Sequence, residues 1–273
     1  MSPDSNPISP RTGPLRLYAA WGCPFCHRVL AGLHLTGLAD RVAITWMNDI
    51  KRDNGWEVEE GADPVFNAQF IKEVYTAVAP GEDHRPAVPI LVDEESRSLV
   101  TTESPAMLRY ISTGFAGQYP TRVNLCPDEL RAEISELNSW VHENINRAVY
   151  DVGFALEQSD YERKAFRLFG DLDIMEELLS QSDYLFGDHL TESDLFLYAT
   201  LRRFDMVYSP LFRCSLKRVA DSKTFPRYVA RVAEQPGMSD SFNLERTKRH
   251  YFKSLIHTNA GTLNPNPSGI VPI

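Results

Sequence analysis

The strongest constraint on the fold is a change of hydrophobic period at Gly22-Cys23-Pro24. Leu15, Leu17 and Ala19 alternate with a period of two in the run Leu15 to Trp21, the pattern of a strand. From Pro24 onward Phe25, Val29 and Leu33 recur at helical spacing until Gly37, a natural stop. A cysteine therefore falls where a strand gives way to a helix. Val42 to Met47 reads as a second strand, and Asp63-Pro64 as the start of a second helix with Phe66, Phe70 and Val74 four apart. Ala87 to Val92 and Ser98 to Thr101, separated by the charged turn Asp93 to Arg97, read as a hairpin, followed by a helix from Glu103 to Ile111. The order β-α-β-α-β-β-α predicts an α/β thioredoxin-like domain over residues 15–117, after an N-terminal extension at 1–14.

Beyond a Pro-containing linker at 118–127 the strand pattern stops. Leu130, Ile134, Leu137, Val141, Ile145 and Ala148 form one apolar helical stripe, and Ala165, Leu168, Leu172, Met175 and Leu179 another. Residues 128–250 thus predict an all-α bundle. Within it Thr191 to Asp194 matches a capping box, which fixes a helix start. Residues 251–273, rich in Asn, Pro and Gly near the end, suit an extended tail.

A net charge of -9 argues against nucleic acid and against an anionic membrane surface, where Lys and Arg would have to dominate the contact. No apolar run approaches the ~20 residues of a spanning helix, and the polar start lacks a signal peptide's apolar stretch, so the expected compartment is the cytoplasm. The chain has four cysteines, too few for a disulfide framework at this length.

Cys23-Pro24-Phe25-Cys26-His27 fits the haem-attachment spacing, but that chemistry is usually performed on exported chains. Zinc would need two more ligands, and no second pair accompanies this one. The redox reading has the better physics. A cysteine in the first turn of a helix has its thiolate stabilised by backbone amides and the helix dipole, whereas two structural cysteines would not explain the position. Cys26, about one turn on, is a candidate resolving thiol. Val88-Pro89 interrupts an expected inner strand. Either the bond is cis and Val88 turns its polar groups to an extended ligand, or the proline sits at an edge bulge. Glu103-Ser104 opens a helix, where the Ser can cap and amides can hold a carboxylate.

These features, with the stretches Asp63 to Tyr75, Asn144 to Ala155, Tyr184 to Tyr208, His250-Tyr251-Phe252 and Asn264 to Pro272, resemble the glutathione transferases. Within them the chain looks most like the xi class, the glutathionyl-hydroquinone reductases. The resemblance implies a glutathione-transferase fold, with Cys23 as nucleophile. It also implies glutathione binding by Trp56, Arg85, Val88, Glu103 and Ser104, and a ring of Tyr150, Tyr208 and Tyr251 around an aromatic quinone-derived substrate. Glutathione or another small thiol would be the co-substrate, without metal, flavin or haem, in a homodimer.

The implied reaction is reduction of a glutathionyl-hydroquinone through a Cys23 mixed disulfide, with Tyr150 protonating the leaving carbon. An omega-like thioltransferase or dehydroascorbate reductase needs the same cysteine but not the tyrosines, and a non-catalytic interaction module needs neither. Two departures stand out: Cys26 replaces the family's usual Ala, and residues are added between Ser254 and Asn264. Cys23→Ala is expected to abolish reductase turnover. Full activity in that variant, measured on a glutathionylated hydroquinone, would leave Cys23 a bystander in a conjugating enzyme.

Overall fold

The computed structural model describes residues 8–11, 13–61, 63–81 and 85–255, with the side chain of Leu255 left aside. The described residues up to Cys126 and those from Pro236 onward form one unit, and Pro127–Gln235 form the other.

In the first unit β1 (Leu15–Ala19) leads into α1 (Pro24–Thr36), β2 (Val42–Trp46), α2 (Ile71–Val78), β3 (Ile90–Asp93), β4 (Ser98–Thr101) and α3 (Ser104–Ser112). The sheet order is β2-β1-β3-β4. β2 runs parallel to β1, while β3 runs antiparallel to β1 and β4 antiparallel to β3. The parallel pair requires the crossover that α1 provides, and the antiparallel pair needs only the tight turn at Asp93 to Ser98. α1 ends as its sequence predicts, with Gly37 at φ 77° and its amide bonded to the His34 carbonyl. Leu17, Val74, Ile90, Val92 and Met107 are all fully enclosed in the core that the sheet shares with its helices.

One expectation fails locally. The helix predicted from Asp63 begins only at Ile71. The Asp63 carboxylate instead accepts from the Tyr18 hydroxyl at 2.8 Å and from the Val65 and Ala68 amides at 3.3 and 2.9 Å. It thereby organises a turn around the Val65 and Ala68 amides, and Asn67 adds a left-handed residue at φ 55°.

The domain boundary expected at residue 250 also moves. Pro236–Ser254 pack with the first unit: the Thr247 hydroxyl donates to the Trp21 carbonyl at 3.0 Å, and Arg246 pairs with Asp49 at 2.6 Å and with Glu59. Residues 250–255 form a π-helical turn rather than an extended tail, and the rest of that tail lies outside the described residues.

The second unit is helical, with helices at Arg131–Val141, Ala148–Gly153, Gln158–Ser180, Glu192–Arg203 and Phe225–Ala233. Every member of the second predicted stripe, Ala165 to Leu179, is buried. The capping box is present, and its acidic member does more than cap. Asp194 accepts from the Thr191 amide at 2.8 Å, the Leu185 amide at 3.0 Å and the Tyr228 hydroxyl at 3.0 Å, tying a loop and a second helix to one helix start.

Burial pushes the Asp194 carboxyl up from 3.8 to about 6, although the Thr191 and Leu185 amides and the Tyr228 hydroxyl oppose the rise. The native state then holds the extra proton. The stability this carboxyl contributes is fully present below pH 3.8 and is lost as pH rises through about 6. Asp194→Asn should flatten that pH dependence. Asp194→Ala should lower stability by about 3 kcal/mol, read from denaturant unfolding, because it strands several buried donors.

Candidate active site

β1 delivers Cys23 to the N-cap of α1 in an extended conformation, φ -75° and ψ 119°. Its sulfur accepts from the Cys26 amide at 3.4 Å, so the thiol takes the place usually held by a Ser or Asp oxygen at a helix start. The same thiol donates to the Val88 carbonyl at 3.3 Å. The Val88-Pro89 bond is cis, and both residues are buried. Of the two readings left open for this proline, the cis bond is the one found.

Cys26 occupies the third helical position, is wholly enclosed, and its sulfur accepts from the Ala20 amide at 3.5 Å. Both residues are thiols. His27, last of the haem-like spacing, is buried with its ring 5.0 Å from Phe242. Among the described residues no group of three or more His, Cys, Asp or Glu side chains could hold a metal ion, and no helix is long and apolar enough to cross a membrane.

Glu103 is the N-cap of α3 and exposed, while Ser104 is its first helical residue and buried. This corrects the expectation that the Ser caps. The Glu103 amide donates to the Thr101 hydroxyl at 3.0 Å, and Glu103 itself is exposed at the helix start. Tyr75 links this corner to the thiols. Its hydroxyl donates to the Ala87 carbonyl at 3.0 Å; burial raises its pKa, and charge on Glu103 and Cys26 adds to the rise.

A cation missed by sequence reasoning completes the thiol's surroundings. Lys51 has its pKa lowered by burial first and by the Arg85 guanidinium second, against which a negative Cys23 pulls upward. Lys51, Arg85 and Cys23 therefore share one electrostatic neighbourhood. Because β1 and β2 are parallel, their C-terminal ends lie side by side, so a basic residue soon after β2 is the signal by which the sequence marks it.

Trp56 is buried and stacks on His250 at 4.8 Å, with the Lys51 ammonium 6.0 Å above its ring. The His250 Nδ1–H donates to the Asp49 carbonyl at 2.9 Å, and the Lys51 amide donates to the Ser254 hydroxyl at 2.7 Å. His250 also presses on Gly22: a β-carbon there would lie 2.4 Å from the imidazole, so the residue before Cys23 has room only for hydrogen. No spacing pattern marks His250, and only the return of the chain brings it here.

Tyr251 is buried beside this group, edge-on to His250 at 5.2 Å. In the second unit Tyr150 and Tyr208 meet at 5.9 Å, and both pack on Phe212, at 5.2 and 5.6 Å. The structure thus unites Tyr150 with Tyr208 in one aromatic cluster and Tyr251 with Trp56 in another. All three tyrosines lie in or just after π-helical turns, at residues 142–146, 204–208 and 250–255. Such turns concentrate at functional sites, and no hydrophobic period announces them.

A strand-to-helix thiol bonded to the carbonyl of a cis Val-Pro, with a polar helix start in the same unit, is an arrangement that a thioredoxin-like domain supports. Residues 22–113 match the glutathione S-transferase N-terminal domain family, and residues 159–230 the C-terminal domain family. Over 265 residues the chain is 36% identical to the glutathionyl-hydroquinone reductase PcpF of Sphingobium chlorophenolicum, spanning 96% of this chain and 82% of that protein. Glutathione-bound YqjG of Escherichia coli K-12, a glutathione transferase homologue, is similar in structure with a TM-score of 0.87 and 29% identity, over 97% of this chain and 87% of that one. The Xi glutathione S-transferase of Phanerochaete chrysosporium gives 0.85 and 35%, over 97% and 88%. The chain belongs to the glutathione transferase superfamily, in its Xi class.

Attraction between the Lys51 ammonium and the Cys23 thiolate works in both directions. Lys51→Met should therefore slow alkylation of Cys23 by iodoacetamide at neutral pH roughly threefold to tenfold and move the midpoint of its pH profile upward. An unchanged profile would mean that Lys51 is only a packing residue.

Proposed function

We propose that this protein is a glutathione-dependent thiol transferase that reduces glutathionyl-hydroquinones to hydroquinones. The observation that carries the reading is the Cys23 thiol, held at the N-cap of α1 by the Cys26 amide and in the field of Lys51. Relatives named as glutathionyl-hydroquinone reductases support the substrate class.

In this reading the Cys23 thiolate attacks the glutathionyl sulfur of the thioether, forming a mixed disulfide and expelling the aromatic carbon with its electron pair. Tyr150 supplies the proton to that carbon, and Tyr208 and Tyr251 donate hydrogen bonds to the ring oxygens. A second glutathione then attacks the mixed disulfide, releasing oxidised glutathione and restoring Cys23.

The binding roles follow the chemistry of each group. Ionisation of Cys23 removes the proton it gives to Val88, which frees that carbonyl for the cysteinyl amide of glutathione. The Glu103 carboxylate suits the γ-glutamyl ammonium, the Ser104 corner the neighbouring carboxylate, and Arg85 and Trp56 the glycyl end. A homodimer working in the cytoplasm, without metal, flavin or haem, belongs to the same proposal.

Removing one phenolic donor in a dry site typically costs roughly 10²-fold or more in rate. Tyr150→Phe should accordingly slow hydroquinone release in single turnover by about that factor while leaving the glutathione Kd within a few-fold. Loss of thiol binding with intact release would assign Tyr150 to the wrong half of the reaction.

A further inference from the structure

Cys26 has no part in the monothiol cycle just described, yet it is placed as a partner for Cys23. The two lie three positions apart across the first turn of α1, where side chains share a face. The Cys23 sulfur curls back over that turn far enough to take the Cys26 amide at 3.4 Å. Cys26 is wholly enclosed, so an external disulfide cannot reach it, whereas the sulfur at the start of its own helix can. The Ala20 amide 3.5 Å away gives a Cys26 thiolate a donor at the moment it forms.

Cys214 shows what an enclosed cysteine looks like without such provision. Burial raises its pKa strongly against an opposing Arg213 charge, and its thiol donates to the Val149 carbonyl at 3.9 Å.

We infer that Cys23 and Cys26 act as a dithiol pair, giving this protein a disulfide reductase activity toward cysteine-containing peptides in addition to thioether cleavage. The inference rests on Cys23 being the nucleophile of the proposed function. In the first step the Cys23 thiolate attacks one sulfur of the substrate disulfide, forming a mixed disulfide and releasing the other sulfur as a thiolate. In the second, the Cys26 thiolate attacks Cys23, the Cys23–Cys26 bond forms, and the remaining substrate sulfur leaves and takes up the proton Cys26 has lost. The substrate gains two electrons and two protons, and the dithiol becomes a disulfide. Two molecules of glutathione return it to the dithiol and leave as oxidised glutathione.

Oxidised glutathione and a peptide with one internal disulfide are the probes. Intact-mass measurement after oxidised glutathione should show wild type lighter by two hydrogens, with the bond mapped to Cys23 and Cys26, and no glutathionyl group retained. Cys26→Ala, and Cys26→Ser as a closer steric match, should each retain one glutathionyl group on Cys23. With glutathione as reductant, both variants should turn over the peptide at least tenfold more slowly than wild type. Wild type that keeps the glutathionyl group, or a variant that reduces the peptide as fast as wild type, overturns the dithiol pair. Failure of either folded variant to take up any glutathionyl group would instead remove Cys23 as nucleophile, and the proposed function with it.

Discussion

The turn between β1 and α1 must satisfy the first amides of a helix, and it does so with sulfur. A Ser or Asp oxygen would cap the Cys26 amide more strongly, so the thiol gives up some stability at this helix start. The neighbouring structure is organised around that choice. Pro24 has no amide to satisfy, Cys26 supplies an amide that the sulfur accepts, and Val88, two residues before β3, turns its carbonyl to the thiol. The sheet is what makes this convergence possible, because β3 pairs with β1 from Leu15 to Tyr18 and so enters the sheet beside Cys23.

Around that turn the chain places positive charge and stacked rings. Lys51 comes soon after β2, its amide anchored by Ser254 and its ammonium above Trp56, while Trp21 stacks on Trp46 at 4.1 Å. Arg246 pairs with Asp49 and Glu59 and closes this side of the unit. Arg246 is neutralised by its two acids, whereas Lys51 lies within reach of a second cation, Arg85, and of Cys23.

The second unit solves a different problem, the placement of aromatic side chains in helices of ordinary propensity. Asp194 fixes one helix start against a loop and against Tyr228, and Asn146 ties the π-helical turn at 142–146 to the Phe196 carbonyl and the Thr200 hydroxyl, at 2.9 and 2.8 Å. The added residue of a π turn rotates the helix beyond it. Tyr150 and Tyr208 come together on Phe212, four positions after Tyr208.

The sequence by itself determined the elements whose signals are local. The change of period at Cys23 located the strand-to-helix turn, Gly37 ended α1, the Asp93 to Arg97 turn marked the hairpin, and Thr191 with Asp194 gave the capping box. Each depends on residues a few positions apart, whose backbone preferences survive whatever the rest of the chain does. Asp63 shows the limit of that method. Its distant partner Tyr18 and its turn amides outweighed a good helical pattern. The proposed glutathione-binding set and the three tyrosines rest on family resemblance, since read alone each is an ordinary helix start or core ring. Lys51 beside Cys23, His250 against Gly22, and the return of Pro236–Ser254 to the first unit were decided only in three dimensions. Contacts between residues about two hundred positions apart, such as Asp49 with Arg246, leave no period in a single sequence, because they are selected by the assembled surface and not by the local chain.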